Sequence, residues 1–217
     1  LQMTLDNGST MTGLTNKAYT NSTLNIDLNN NSTWNLAEKT TGAVSTSTFD
    51  ALTMNGGSKL NATTPRTAPA NFILKGDVTS TLSTLNLADG KAGDVLTIQG
   101  NYKGNNGNLV LDTVLGDDSS LTDKLVITGN ASGTTTVTVN NANGSGASTL
   151  EGIEVIDTGS STSNAFVQSG RIVAGAHDYS LVRGAGSNIN NWYLSSMVTP
   201  TPEPTPEPTP EPTPEPT

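Results

Sequence analysis

Short runs that alternate apolar and polar residues, each closed by Asn and Gly, most restrict what this 217-residue chain can fold into. Residues 24–28 (LNIDL) and 95–98 (VLTI) are examples, and a period of two places every second side chain on one face of a strand. Turn residues follow such runs, as at 55–57 (NGG) and 104–107 (GNNG). Many short strands with closely spaced turns predict a sandwich, a barrel or a β-solenoid.

Composition favours the solenoid among these three. Asn, Thr, Ser and Gly, which are poor helix formers, dominate the chain. Aromatic residues make up only 4% of it, whereas a sandwich core usually depends on them. Paired strands recur about every twenty residues, which is the scale of one solenoid coil. We therefore predict an all-β solenoid, with Leu, Val and Ile in internal ladders and Asn and Thr ladders beside the turns.

The last twenty residues differ in composition from everything before them. From Pro200 the sequence repeats Thr-Pro-Glu-Pro, and proline at every second position removes backbone donors and fixes φ. We predict that residues 198–217 form an extended polyproline II spacer, rising about 3.1 Å per residue. The alternative to a plain spacer is a proline-rich ligand for another protein.

Charge and cysteine content limit the possible partners. The chain has 10 Lys and Arg against 19 Asp and Glu, a net charge of −9, which argues against nucleic-acid binding. It has no cysteine, so disulfides and thiolate metal sites are excluded. No segment approaches the ~18 consecutive apolar residues of a membrane helix, so we expect no membrane insertion by this segment.

The only concentration of aromatic residues lies near the end of the predicted β region. The last coil of a solenoid exposes apolar side chains and an open sheet edge, so it must be capped. We therefore predict that residues 1–89 form coils, and that residues 90–197 form the final coils and a cap of antiparallel hairpins. The candidate cap residues are Phe166, Tyr179, Trp192 and Tyr193.

Trp34 stands apart from that group, in the strand-like run 32–36 (STWNL). On the surface it could stack on a sugar or contact a partner. Because alternation puts it on the same face as Leu36, we predict that it is buried.

His177 is the only histidine, and without cysteine it cannot build a conventional zinc site. A Ser-His-Asp triad could in principle use His177, Asp178 and a distant serine. No Gly-x-Ser-x-Gly elbow precedes a helix, so a structural or exposed histidine is the favoured interpretation and no catalytic residue or cofactor is predicted.

Several loop carboxylates have the oxygen chemistry of a calcium site. Asp117, Asp118 and Asp123 lie close together in the sequence, and Asp89 and Asp94 form a similar pair. Loop carboxylates more often bond backbone N–H groups in their own turn. The chain also lacks an EF-hand loop and the glycine-aspartate nonapeptide repeat, so turn capping is the favoured interpretation.

A family resemblance is carried by a series of segments in the second half of the chain. They run in order as GNYKGNNG (100–107), LVLDTVLGDD (109–118), TDKLVITG (122–129), GTTTV (133–137), LEGIEVI (150–156), GRIVAGA (170–176), DYSLV (178–182) and NWYL (191–194). Together they resemble the C-terminal passenger region, pertactin-like and AIDA-type, of bacterial type V autotransporters. The first ninety residues match that family only in style.

The resemblance implies a right-handed parallel β-helix whose C-terminal part is an autochaperone region. It implies a non-catalytic stem and folding core of an adhesin, displayed on the cell surface through an outer-membrane β-barrel translocator of the same polypeptide. Possible adhesion partners are the host-cell surface or another copy of the protein. The alternative is the stalk of a secreted enzyme, such as a serine protease whose catalytic domain lies upstream.

Overall fold

The computed structural model describes residues 1–63 and 69–196, and their regular secondary structure is β-strand except for one short 3-10 helix, Gly186–Asn188. The predicted spacer at 198–217 lies outside the described residues. The strands are β1 (Gln2–Leu5), β2 (Thr10–Thr12), β3 (Asn25–Leu28), β4 (Thr33–Asn35), β5 (Ser45–Met54), β6 (Lys59–Asn61), β7 (Asn71–Thr81), β8 (Thr84–Asn86), β9 (Val95–Gln99), β10 (Tyr102–Thr113), β11 (Lys124–Asn141), β12 (Ile153–Ser161), β13 (Phe166–Gln168), β14 (Ile172–Ala174), β15 (His177–Arg183) and β16 (Trp192–Ser195). No helix in these residues is long and apolar enough to cross a membrane.

Parallel strands stack coil upon coil into three faces, which confirms the predicted parallel β-solenoid. Face 1 contains β1, β3 and parts of β5, β7, β10 and β11. Face 2 contains β2, β4, β6, β8, β13 and parts of β10 and β11. Face 3 contains β9, β12 and parts of β5, β7 and β11.

Each coil is longer than the predicted twenty residues. Gln2 pairs with Asn25 and Asn25 with Ala51, which are offsets of 23 and 26 residues. Near the C-terminus Leu125 pairs with Ile156, an offset of 31 residues. The excess lies in the corner loops, because the three-residue strands of face 2 keep their length from coil to coil.

Alternation along the strands builds the predicted apolar ladders inside the stack. On face 2, Trp34 lies against Leu60, and Leu60 against Leu85, all fully buried. The burial of Trp34 is thereby confirmed. Its indole N–H donates to the carbonyl of Gly13 at 2.9 Å, and its ring meets the edge of Phe49 with centroids 6.1 Å apart.

Polar side chains form ladders of their own on the outside and at the corners. On face 2 the amide of Asn61 donates to Asn35 at 2.7 Å, and the amide of Asn86 donates to Asn61 at 3.0 Å. These bonds confirm the predicted asparagine ladder. In the corner between faces 1 and 2, the chain turns through left-handed residues of three coils: Asn30, Asn31, Gly56, Gly57 and Leu82.

Leu82 is the unusual member of that corner. Its φ of 50° is a conformation that costs a non-glycine residue about 1–2 kcal/mol, and its side chain is 60% exposed. It is held there by backbone bonds from Gly57 N–H to its carbonyl and from its own N–H to the carbonyl of Asn105. The stacking of the coils thus imposes the turn on a residue that disfavours it.

Antiparallel pairing appears at the C-terminal end of the stack and closes it. β12, the last long strand of face 3, pairs antiparallel with β16. β16 pairs with β15, and β15 with β14, again antiparallel. The predicted hairpin cap is therefore present, and we call β14–β16 the cap.

Candidate functional site

The cap is joined to the last coils through a row of aromatic rings. Phe166 and Trp192 meet edge to face, with centroids 5.0 Å apart. Phe166 also stacks on Tyr102, with centroids 6.2 Å apart and planes 7° from parallel. Trp192 belongs to the cap, Phe166 to β13 and Tyr102 to β10, and β13 and β10 lie on opposite sides of β11, so the row links the cap to two of the last coils.

Tyr102 was not among the predicted cap residues, although it lies within the family-like segment 100–107. It is fully buried, and its hydroxyl is 2.7 Å from Thr135 Oγ1. Burial raises the pKa of Tyr102 to about 12, so the hydroxyl keeps its proton. Alternation alone would not have identified it, because Tyr102 lies seven residues before Leu109 and the strand register shifts between Asn105 and Gly107.

Arg183 also contacts the ring of Trp192. Its guanidinium carbon lies 5.5 Å from the centre of the indole ring, within the range of a cation–π contact. One of its terminal nitrogens donates to the carbonyl of Ser161 at 2.7 Å. Arg183 therefore links β15 of the cap both to β16 and to the end of β12.

Tyr193 is anchored by hydrogen bonding rather than by ring contacts. Its hydroxyl donates to Glu154 at 2.9 Å, and Glu154 also forms an ion pair with Lys124. Burial tends to raise the pKa of Glu154, but the bonds from Lys124 and Tyr193 outweigh it and hold the pKa below its usual value. This network fastens β16 to both β12 and β11.

Tyr179 lies apart from the aromatic row and fixes a loop instead. Its hydroxyl donates to the carbonyl of Gly116 at 2.7 Å and accepts from the N–H of Ala147 at 3.0 Å. The predicted cap residues are thus all buried, but they make different contacts. Phe166 and Trp192 pack together, whereas Tyr179 and Tyr193 each tie the cap to a different part of the last coil.

The end of the described chain is held by a reciprocal pair of hydrogen bonds. The N–H of Ser196 donates to Thr149 Oγ1 at 2.9 Å, and the N–H of Thr149 donates to Ser196 Oγ at 3.0 Å. Ser196 Oγ also donates to the carbonyl of Ala147 at 2.6 Å. Nothing in the local sequence predicts this contact, because the partners lie 47 residues apart.

The carboxylates considered for calcium are engaged by backbone N–H groups. Asp118 accepts from three consecutive residues, Leu150, Glu151 and Gly152, at 2.9–3.0 Å. These bonds, that from Glu151 foremost, hold the pKa of Asp118 below its usual value. Asp117 accepts from Ser119 within its own turn. Within residues 1–63 and 69–196, no group of three or more His, Cys, Asp or Glu side chains is arranged to hold a metal ion.

His177 and Asp178 are adjacent in sequence but are used separately. Both carboxylate oxygens of Asp178 bind the guanidinium of Arg171, at 2.7 Å each. His177 Nδ1 is buried beside Gly146. Because Asp178 is occupied by Arg171, the arrangement that a Ser-His-Asp triad requires is not formed by this pair.

Comparison with known proteins places this architecture in a family. The model of the family described as Autochaperone Domain Type 1 matches residues 73–181, which is half of the chain. The chain belongs to the type 1 autochaperone family. The match begins inside β7 and ends inside β15 of this autochaperone domain, so it includes Phe166 and Tyr179, while Trp192 and Tyr193 lie beyond it.

Curated relatives extend the same conclusion. The autochaperone domain is 55% identical over 129 residues to an Escherichia coli K12 protein, "Uncharacterized protein YuaQ", covering 58% of this chain and 9% of that protein. It is 44% identical over 120 residues to the "Adhesin BmaC autotransporter" of Brucella suis, covering 49% of this chain and 4% of that protein. It is 40% identical over 108 residues to the "Autotransporter adhesin AIDA-I" of Escherichia coli, covering 48% of this chain and 8% of that protein.

The autochaperone domain spans only a small part of the curated relatives that it matches, from 4% to 27% of their lengths. The family and the relatives together identify it as part of the stem of an autotransporter passenger. The relatives' own activities belong to proteins that are much longer than this chain.

Proposed function

We propose that this autochaperone domain is the folding core of a surface-displayed passenger, and that folding starts at its cap and proceeds toward β1. The observation that carries the proposal is the aromatic row Tyr102–Phe166–Trp192, which packs the antiparallel cap against the last parallel coils. The stability of a coil is the sum of its own contacts and of the interface with the neighbour on which it stacks, and the first coil to fold has no such neighbour. The first structured layer must therefore be stabilised by contacts of its own.

The cap supplies such contacts over a short stretch of sequence. Its strands pair by hairpins of close sequence separation, and local contacts cost less loop-closure entropy than distant ones. It also buries two large side chains, Tyr179 and Trp192, within fourteen residues. By contrast, each coil of the stack forms only when residues 23–31 apart pair.

The chain offers a matched pair of substitutions to test this order of folding. Trp192 in the cap and Trp34 near the other end are both buried, so changing either to alanine removes the same side chain. We expect Trp192→Ala to slow refolding from urea, whereas Trp34→Ala mainly accelerates unfolding. Stopped-flow far-UV circular dichroism, which does not depend on either indole, measures both rates. If Trp34→Ala slows refolding more than Trp192→Ala, the proposed order is wrong.

We further propose that the folded domain acts as a non-catalytic stem that supports secretion and adhesion at the bacterial cell surface, anchored by an outer-membrane barrel of the same polypeptide. The adhesin names of two relatives support this role. The stem hypothesis predicts that beads coated with this chain neither bind host cells nor cluster with one another. Binding or clustering would instead make the chain an adhesion module in its own right.

A further inference from the structure

Two buried aspartates occupy the same corner of successive coils. Asp94 directly precedes β9 and Asp123 directly precedes β11, and the strands pair so that Val95 lies against Lys124. Asp94 is 3% exposed and Asp123 is 0% exposed. Two carboxylates are therefore stacked one coil apart with almost no access to water.

Hydrogen bonds join these side chains to the backbone of the preceding coil. Asp123 Oδ1 accepts from the N–H groups of Gly93 and Asp94, at 3.0 and 2.9 Å. Asp123 Oδ2 accepts from Asp112 N–H at 2.7 Å. Asp94 Oδ1 accepts from Ala70 N–H at 2.6 Å, while its Oδ2 is buried with no hydrogen-bond partner in the described part of the chain.

Within residues 1–63 and 69–196, the charged groups that most strongly affect the pKa values of this pair are acidic. Asp94 faces Asp89 from its own loop, Asp112 from the end of β10 and Glu38 from the loop after β4. Asp123 faces Asp94 and Asp112. Lys124, the neighbour of Asp123, binds Glu154 instead.

Burial dominates the protonation of both groups. It raises the pKa of Asp94 to about 6, against the opposing bond from Ala70. It raises the pKa of Asp123 to about 7, against the opposing bonds from Asp112 and Asp94. Protonation of either carboxyl neutralises a negative charge that lies among other negative charges. The resulting stabilisation is largest for Asp94, because its Oδ2 is the unpartnered oxygen.

We propose that protonation of the stacked pair Asp94–Asp123 strengthens the contact between two successive coils, so that this contact becomes more stable as the surroundings become mildly acidic. This inference does not depend on the proposed function. In the unfolded chain both groups ionise near pH 4. The folded state therefore binds protons that the unfolded state releases, and its stability is lost as the pH rises from about 4 through about 7.

Other carboxylates act outside that window. Hydrogen bonds lower the pKa values of Asp50, Asp118 and Asp178 in the folded state. Their contribution is complete above about pH 4 and is lost only as the pH falls below it. These three carboxylates therefore add nothing to a slope between pH 5.5 and 8.5, where the stacked pair does.

The test is urea unfolding of the full chain at four values between pH 5.5 and pH 8.5. We expect the folding equilibrium constant to rise as the pH falls, by up to about tenfold per pH unit for each aspartate. The double variant Asp94→Asn/Asp123→Asn is expected to abolish this slope. Two control variants, Asp117→Asn and His177→Gln, remove an exposed carboxyl and the only histidine of the sequence, and the slope is expected to persist in both.

A carbon-13 titration of the wild-type side-chain carboxyls checks the inference without any substitution, and we expect two aspartates to titrate between pH 5 and 8. The proposal is refuted if the free energy of unfolding of the wild-type chain is constant or decreases as the pH is lowered to 5.5. It is refuted as well if the double variant keeps the slope. It is also refuted if His177→Gln removes the slope, or if calcium at pH 8 raises the urea midpoint as much as acidification does.

Discussion

Replacing Trp192 with alanine removes the side chain that joins the cap to the last coil. Trp192 is 2% exposed and contacts both Phe166 and Arg183. Burying an aromatic side chain removes about 150–250 Å² from water, which is worth roughly 4–6 kcal/mol at about 25 cal/mol per Å². Truncations of buried Phe and Trp cost about 3–5 kcal/mol. We therefore expect the free energy of unfolding to fall by about 3–5 kcal/mol.

Equilibrium urea unfolding followed by far-UV circular dichroism measures this loss. In a melt, the same change lowers the midpoint by about 6–20 °C, at roughly 2–4 °C per kcal/mol for a chain of this size. The conservative variant Trp192→Phe keeps a ring against Phe166, and we expect it to lose less than half as much. An unchanged midpoint for Trp192→Ala, or equal losses for both variants, would refute the assignment of Trp192 as the joining residue.

Three further substitutions have expected outcomes in the same unfolding assay. Tyr179→Phe leaves the N–H of Ala147 without its acceptor and should cost about 1–3 kcal/mol; no loss would mean that the hydroxyl bonds contribute nothing. Leu82→Asn should gain up to about 1 kcal/mol, since asparagine tolerates the left-handed turn; a loss would show that the exposed leucine is packed. Gly133→Ala should destabilise more than Tyr179→Phe, because its Cβ would lie 1.8 Å from the carbonyl oxygen of Gly104 at φ 75°; an unchanged midpoint would contradict this geometry.

The strands and the side chains that they bury follow from local sequence, whereas the parallel stacking was implied by the family resemblance. Alternation predicts which side chains face inward, and the burial of Trp34 on the same side as Leu36 follows from that rule alone. The cap could also be anticipated, because the aromatic residues are concentrated where an exposed coil end would need covering. In the first case the deciding pattern lies within a few neighbouring residues, and in the second within residues 166–193, near the end of the β region.

What the sequence does not reveal depends on contacts between coils. The coil length varies with the corner loops, and nothing in a loop's composition shows how many residues it adds before the next strand. Asp94 and Asp123 are 29 residues apart and become neighbours only when β9 and β11 pair. Asp118 resembles a calcium ligand in sequence, yet it receives three N–H groups from a loop more than thirty residues away.

The two ends of the stack are built differently, and this difference affects how the number of coils can change during evolution. The cap closes one end, whereas β1 and β2 have strand neighbours on one side only among the described residues, and Met3, Leu5 and Met11 are only partly covered there. A duplication or deletion of one coil on that side changes the reach of the stack by about 4.8 Å. It leaves every contact of Trp192 intact. Selection can therefore adjust the length of the stack one coil at a time, independently of the cap contacts that make the domain fold.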